Sequence, residues 1–169
     1  MQLFGNHKIS HGTLNEAVHM VETYFRHRGL NPDQYKLQGS HENGWWIQEG
    51  SAEVYIIVQS GNEEVGTVLR ISSPLVHLPE NNREQLYRRL LELNNNLSSC
   101  ALSIYNDLVL VVSQRPTLGL SQEEMDELVW NAAYVADLLD NKLAQEFGAR
   151  LYSAGAYQQT LAQKNPTSI

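Results

Sequence analysis

Residues 52–59, AEVYIIVQ, place apolar side chains on both faces of any strand they form. Successive strand residues point to opposite sides, so Val54, Ile56 and Val58 share one face and Tyr55 and Ile57 the other. A strand covered on one side alternates apolar with polar residues; one covered on both does not. The chain must therefore fold so that both sides of this strand are sheltered. Its neighbours are strand candidates too. Gly44–Glu49 holds Trp45, Trp46 and Ile47 and breaks at Gly50-Ser51, while Ser60-Gly61-Asn62 leads into Val65–Ile71. These spacings predict an antiparallel meander. Alternation sends Trp45 and Trp46 to opposite faces, one into the core. The other needs cover from the third helix described below, from a second subunit or from a client segment, and cover by the chain's own helix is favoured. At about 25 cal/mol per Å² of apolar area, covering such a patch contributes several kcal/mol, enough to drive association.

Three helices flank and interrupt the strands. Thr13 and Glu16 have capping-box spacing, and Leu14, Ala17, Val18, Val21, Tyr24 and Phe25 form one stripe that Gly29 and Asn31-Pro32 end, predicting a helix over 13–28. A second helix follows Pro79, with Asn81 and Glu84 as its cap and Leu86, Leu90, Leu93 and Leu97 along its core side. Tyr87 and Leu91 lie on its other side. Two apolar sides on one helix exceed what one sheet needs, which makes that pair the candidate dimer interface. The third helix opens at Ser121 and Glu124, carries the stripe Met125, Leu128, Val129, Ala132, Val135, Ala136, Leu139 and Leu143, and stops near Phe147-Gly148. Between the second and third helices, Cys100–Tyr105 and Leu108–Gln114 read as a hairpin turning at Asn106-Asp107. The order α-β-β-β-α-β-β-α predicts an α+β domain, an antiparallel sheet of about five strands with helices packed on it. One domain over 1–149 is expected, followed by a polar tail, 150–169, without periodicity and expected to be mobile.

Composition narrows the partners. The formal charge of −7 argues against a surface that tracks nucleic-acid phosphates. No apolar run reaches the ~20 residues of a membrane span, and the N-terminus lacks a signal-peptide core, so a cytoplasmic chain without membrane contact is expected. The single cysteine, which can form no internal disulfide, fits a reducing compartment.

Candidate chemistry is sparse. His7 and His11 are four apart but precede the first helix; His19 and His27 lie eight apart along it; His41 and His77 fall in loops. Glu22 lies near His19 and His27, and no carboxylate or thiol joins His7 and His11; no site of three or four ligands with a supporting shell emerges, so solvated histidines are expected and no metal or cofactor. Cys100 opens a strand beside Leu102 and Ile104, the setting of a small buried hydrophobe rather than an activated nucleophile. Asn94, Asn95 and Asn96 end the second helix, as a left-handed cap or with one of them hydrogen-bonded to the adjacent strand. Glu123, Glu124, Asp126 and Glu127 suit the positive end of the third helix dipole. No glycine-rich nucleotide motif occurs. Catalytic residues are not expected.

The ladder LYRRLLELNNNL, the hairpin CALSIYNDLVLVV and the helix SQEEMDELVWNAAYVADLLDNKL, with its Ala136-Asp137 pair, resemble the YbjN-like family. That domain is related to the type III secretion chaperones of the Tir-chaperone class. The resemblance spans roughly Leu14 to Phe147. It implies a compact α+β fold, homodimerisation, and binding of extended or amphipathic segments of other proteins through apolar sheet and helix surfaces. The long third helix and polar tail exceed the minimal chaperone domain and could occupy the surface a client would use.

The expected function is a non-enzymatic, chaperone- or adaptor-like protein-binding domain using Tyr55, Ile57 and one of Trp45 or Trp46. The alternative is a regulatory module that senses a small ligand between sheet and third helix, its pocket lined by the tryptophans and anchored by Arg70 or His77.

Overall fold

The computed structural model describes residues 12–39, 43–61 and 66–153. Helix α1 (Leu14–His27) begins at the expected capping box: the Thr13 hydroxyl accepts from the Glu16 N–H at 3.2 Å, and Glu16 accepts from the Thr13 N–H at 2.9 Å. Strands β1 (Gly44–Glu49), β2 (Ala52–Ser60) and β3 (Thr67–His77) follow. Then come helix α2 (Arg83–Asn94), strands β4 (Ala101–Tyr105) and β5 (Leu108–Pro116), and helix α3 (Gln122–Phe147). The element order is the expected one. All five strands join one antiparallel sheet, ordered β1-β2-β3-β5-β4. His7, His11, His41, Asn62, Val65 and residues 154–169 lie outside the described residues.

All three α-helices bury their apolar stripes against the same side of the sheet. One cluster unites Val21 and Phe25 of α1, Leu86 and Leu90 of α2, and Met125, Val129, Leu139 and Leu143 of α3 with Trp45, Val54, Ile56, Ile71 and Val111 from the strands. A second cluster occupies the other side. Tyr55, Ile57, Leu108 and Leu110 form its fully buried centre, with Leu37, Trp46, Tyr105, Val112 and Tyr152 packed around them. The two-sided burial expected of β2 is therefore real, but α3 does not supply the second cover. Its single stripe is already committed to the first face.

Two boundaries depart from expectation. β3 runs to His77 rather than ending at Ile71, because Ser72-Ser73-Pro74 continues the strand. The missing N–H of Pro74 is accommodated where the register with β5 shifts between Pro74 and Val76. Helix α2 is capped by Asn82 in a left-handed conformation (φ 61°) without a side-chain cap, not by Asn81. After the left-handed cap at Gly148 the chain turns back, and Leu151 bridges Val76 of β3.

Candidate functional site

The second sheet face is built by strand alternation. In the β1–β2 register Trp46 stands opposite Tyr55 and Gly44 opposite Ile57. Across the sheet Tyr55 pairs with Ser72, and Ser72 with Val112, all on the same side. Tyr55 is 0% and Ile57 2% exposed. Trp46 is half-buried at the rim. Its neighbour Trp45 is 0% exposed under the helices, so Trp45 is the core member of the pair and lies away from any binding surface on the second face. Burying four side chains such as Tyr55, Ile57, Leu108 and Leu110 is worth about 2 kcal/mol each, or ~8 kcal/mol together. That is comparable to the ~5–15 kcal/mol total stability of a domain. This face cannot stand bare to water. Whatever covers it has to be replaced by something equally apolar when it leaves.

A polar anchor sits inside this apolar patch. Glu53, two residues before Tyr55 and on the same side, is buried. Its carboxylate accepts from the Tyr55 hydroxyl and, at 3.0 Å, from the Tyr152 hydroxyl. The two hydroxyls lie 3.0 Å apart. A carboxylate in such a setting is tolerable only when hydrogen-bonded, and here the tyrosines do that. Burial, followed by the Glu53 hydrogen bond, pushes the Tyr55 phenol far above its ordinary value, so it stays a donor. Sequence reasoning missed Glu53 and Tyr152. Glu53 was findable, since alternation puts it beside Tyr55 and Ile57; Tyr152 gave no signal, lying in a segment too short to show a period.

On the helical side, Tyr87 and Leu91 point outward from α2, 38% and 71% exposed. They are four residues apart, hence adjacent on one helix face. Sequence reasoning overlooked a second exposed row on α3: Trp130 and Tyr134, stacked at 5.2 Å with rings 7° from parallel, and Leu138 beyond them.

Asn94 donates through Nδ2 to the Leu102 carbonyl at 3.2 Å and accepts from the Leu102 N–H at 2.6 Å, fastening the end of α2 to β4. Cys100 is half-buried and burial pushes its thiol up, away from thiolate. Asn106 takes φ 54° in the β4–β5 turn, and Asp107 in that turn bonds His77 Nδ1 at 2.8 Å, which holds its carboxyl below the usual range. Among the described residues no group of three or more His, Cys, Asp or Glu side chains is placed to hold a metal ion, and no helix is long and apolar enough to cross a membrane.

A ligand pocket between sheet and α3 does not form as envisaged. The tryptophans face opposite sides, and Arg70, bonded to Gln114 at 2.8 Å, shares its side with Ile57 rather than with α3. Two hollows among the described residues lie elsewhere. One of about 300 Å³ lies between α2 and α3 at Arg89, Leu93, Leu143 and Glu146. Another, of about 650 Å³, runs beside β4 and β5.

Comparison with known proteins agrees with this geometry. No curated protein matches the chain by sequence. Among solved structures, a chain of the ExsC–ExsE complex superposes with a TM-score of 0.58 at 14% identity, covering 77% of this chain and 95% of that one. A chain of the HopA1–SchA chaperone–effector complex gives 0.57 at 9% identity, over 77% and 98%. A chain of the heterodimeric ExoU–SpcU complex, from the type III secretion system of Pseudomonas aeruginosa, gives 0.53 at 14% identity, over 72% and 95%. At such identities these likenesses establish the fold. The family model described as "T3SS (YopN, CesT) and YbjN peptide-binding chaperone 1" matches residues 34–154, from the turn before β1 through Tyr152. The chain belongs to that peptide-binding chaperone family, the TY-Chap1 group of type III secretion and YbjN chaperones.

Proposed function

We propose that this protein is a non-enzymatic chaperone that holds an extended or amphipathic segment of another protein against the second face of its sheet. Tyr55, Ile57 and the rim residue Trp46 are the contact residues. The observation that carries the reading is the asymmetry of the sheet. One side is sealed by three helices, whereas the other has an equally apolar centre with no α-helix over it among the described residues. Among the described residues the side chains packed around this centre, Leu37, Trp46, Tyr105, Val112 and Tyr152, come from strands and short segments, and such a cover can be exchanged without dismantling the helical core. The likeness in fold to one chain of a chaperone–effector complex supports this reading.

The working unit is a cytoplasmic homodimer joined through α2, where Tyr87 and Leu91 leave the first face and meet a second copy. A two-fold contact of this kind is self-complementary, each copy offering the same pair.

Selection of a phage-displayed peptide library on the immobilised chain tests the binding role. Peptides with apolar residues at alternating positions are expected to enrich. Ile57→Asp, checked by circular dichroism for retained fold, is expected to abolish their binding. No enrichment, or undiminished binding by folded Ile57→Asp, overturns the assignment.

A further inference from the structure

β2 pairs with β3 only as far as Tyr55 opposite Ser72, yet β3 continues to His77. The last residues of β3 would therefore present unpaired backbone groups on the side away from β5, an edge that invites another strand. The chain fills it with its own residues. Leu151 lies opposite Val76 in an antiparallel bridge. The His77 N–H donates to the Arg150 carbonyl at 2.8 Å, and the Tyr152 N–H donates to the Leu75 carbonyl at 2.9 Å. From this edge Tyr152 reaches the second face and donates its hydroxyl to Glu53.

Three features make this a slot rather than a mere chain reversal. It offers a backbone edge, an apolar wall and a buried carboxylate that needs hydroxyl donors. Its occupant makes two backbone hydrogen bonds to β3 and anchors the Tyr152 hydroxyl on Glu53, while Leu151 is 42% exposed. So short a pairing belongs to the parts of a fold that open first.

We propose that the end of β3, with Glu53 and Tyr55, is a strand-addition site for a peptide segment bearing a tyrosine, and that Arg150–Tyr152 fill it in cis until such a segment displaces them. The inference rests on the chaperone reading above and adds its ligand chemistry and its regulation. Backbone pairing gives affinity with little regard to sequence, and the side-chain pocket gives selectivity. The pocket calls for a tyrosine in the place of Tyr152: phenylalanine cannot donate to Glu53, and an acidic side chain would meet a carboxylate that no cation neutralises among the described residues. Tethering gives the resident strand an effective concentration on the order of millimolar, so free peptides compete poorly against it.

The test is fluorescence anisotropy of a labelled synthetic peptide of residues 149–155 with the full chain and with a chain ending at Ala149. The shortened chain is expected to bind the peptide, and the full chain at least about tenfold more weakly. The peptide carrying Tyr152→Phe is expected to lose about tenfold on the shortened chain, as for a hydrogen bond to a charged group. In the full chain, amide exchange at His77 and Tyr152 is expected to run at least about a hundredfold faster than at Ile71. Equal binding to both chains, or no binding to a shortened chain that melts cooperatively, overturns the proposal. A shortened chain that cannot fold, or exchange at His77 as slow as at Ile71, marks the segment as a fixed part of the fold and overturns it too. If library-selected peptides bind both chains equally, this slot falls while the chaperone reading stands; if no peptide enriches on either, that reading falls first.

Discussion

Replacing Asn94 by alanine removes both side-chain hydrogen bonds between the end of α2 and Leu102 of β4. Among the described residues, strand β4 is at the sheet edge and has β5 as its only strand neighbour. Leu102 is buried, so water does not freely replace the lost amide. Two such bonds are worth about 1 kcal/mol each, and the orphaned backbone groups add to that. Alanine returns about 0.5 kcal/mol through its better helix propensity. The net expectation is about 2 kcal/mol of destabilisation, equivalent to a Tm lower by about 4–8 °C for a chain of this size. Urea denaturation followed by circular dichroism reads it, at one fixed protein concentration because the proposed dimer would make stability concentration-dependent. Asn96→Ala is the control. Asn96 is exposed, and its substitution is expected to stay within about 0.5 kcal/mol of the parent. An Asn94→Ala loss below about 0.5 kcal/mol, or an equal loss at Asn96, would refute the fastening role.

Ser121→Ala removes the hydroxyl that accepts from the Glu124 N–H at 3.1 Å in the α3 capping box, and should cost about 1 kcal/mol in the same assay. Stability should also fall at alkaline pH. The Tyr24 and Tyr55 phenols are both raised by burial, so the unfolded chain loses their protons first, near pH 10; each then removes about 1.4 kcal/mol per pH unit above that point. A melting temperature flat from pH 9.5 to 11.5 would contradict it. Leu91→Glu places a carboxylate in the proposed subunit contact on α2, and light scattering should report a monomer that keeps its circular dichroism spectrum. Cys100→Ala should leave peptide binding unchanged, and the native thiol should react with a disulfide reagent more slowly than a free cysteine at pH 8, since burial raises its pKa.

The order of elements along the chain and the two-sided burial were legible because AEVYIIVQ allows no polar face, and because capping boxes and turn residues mark their elements locally. A helix-end amide bonded to the following strand was legible as an alternative for one of Asn94, Asn95 and Asn96, without saying which; it is Asn94. The cover of the second face was not. Helix α3 looked available for it, yet its stripe from Met125 to Leu143 is exhausted on the first face. The residues that do reach the second face, Leu37 and Tyr152, stand in segments where two or three residues touch the sheet, too few for any periodicity. The length of β3 was missed for a related reason. Ser72-Ser73-Pro74 has turn composition, and only the neighbouring β5 explains why it continues as strand. Trp130, Tyr134 and Leu138 were passed over because the α3 stripe drew attention to the opposite side of that helix.

The second sheet face is tested most directly by photo-crosslinking in the native cell, with p-benzoylphenylalanine placed at position 46 in one chain and at position 130 in another. Both sites already hold tryptophan, so aromatic bulk is kept, and they lie on opposite sides of the molecule: Trp46 at the rim of the second face, Trp130 outward on α3. Adducts with another polypeptide are expected from position 46, are expected to diminish when a library-selected peptide is added, and are not expected from position 130. Adducts from position 130 alone, or from neither, would contradict a client held on the second face.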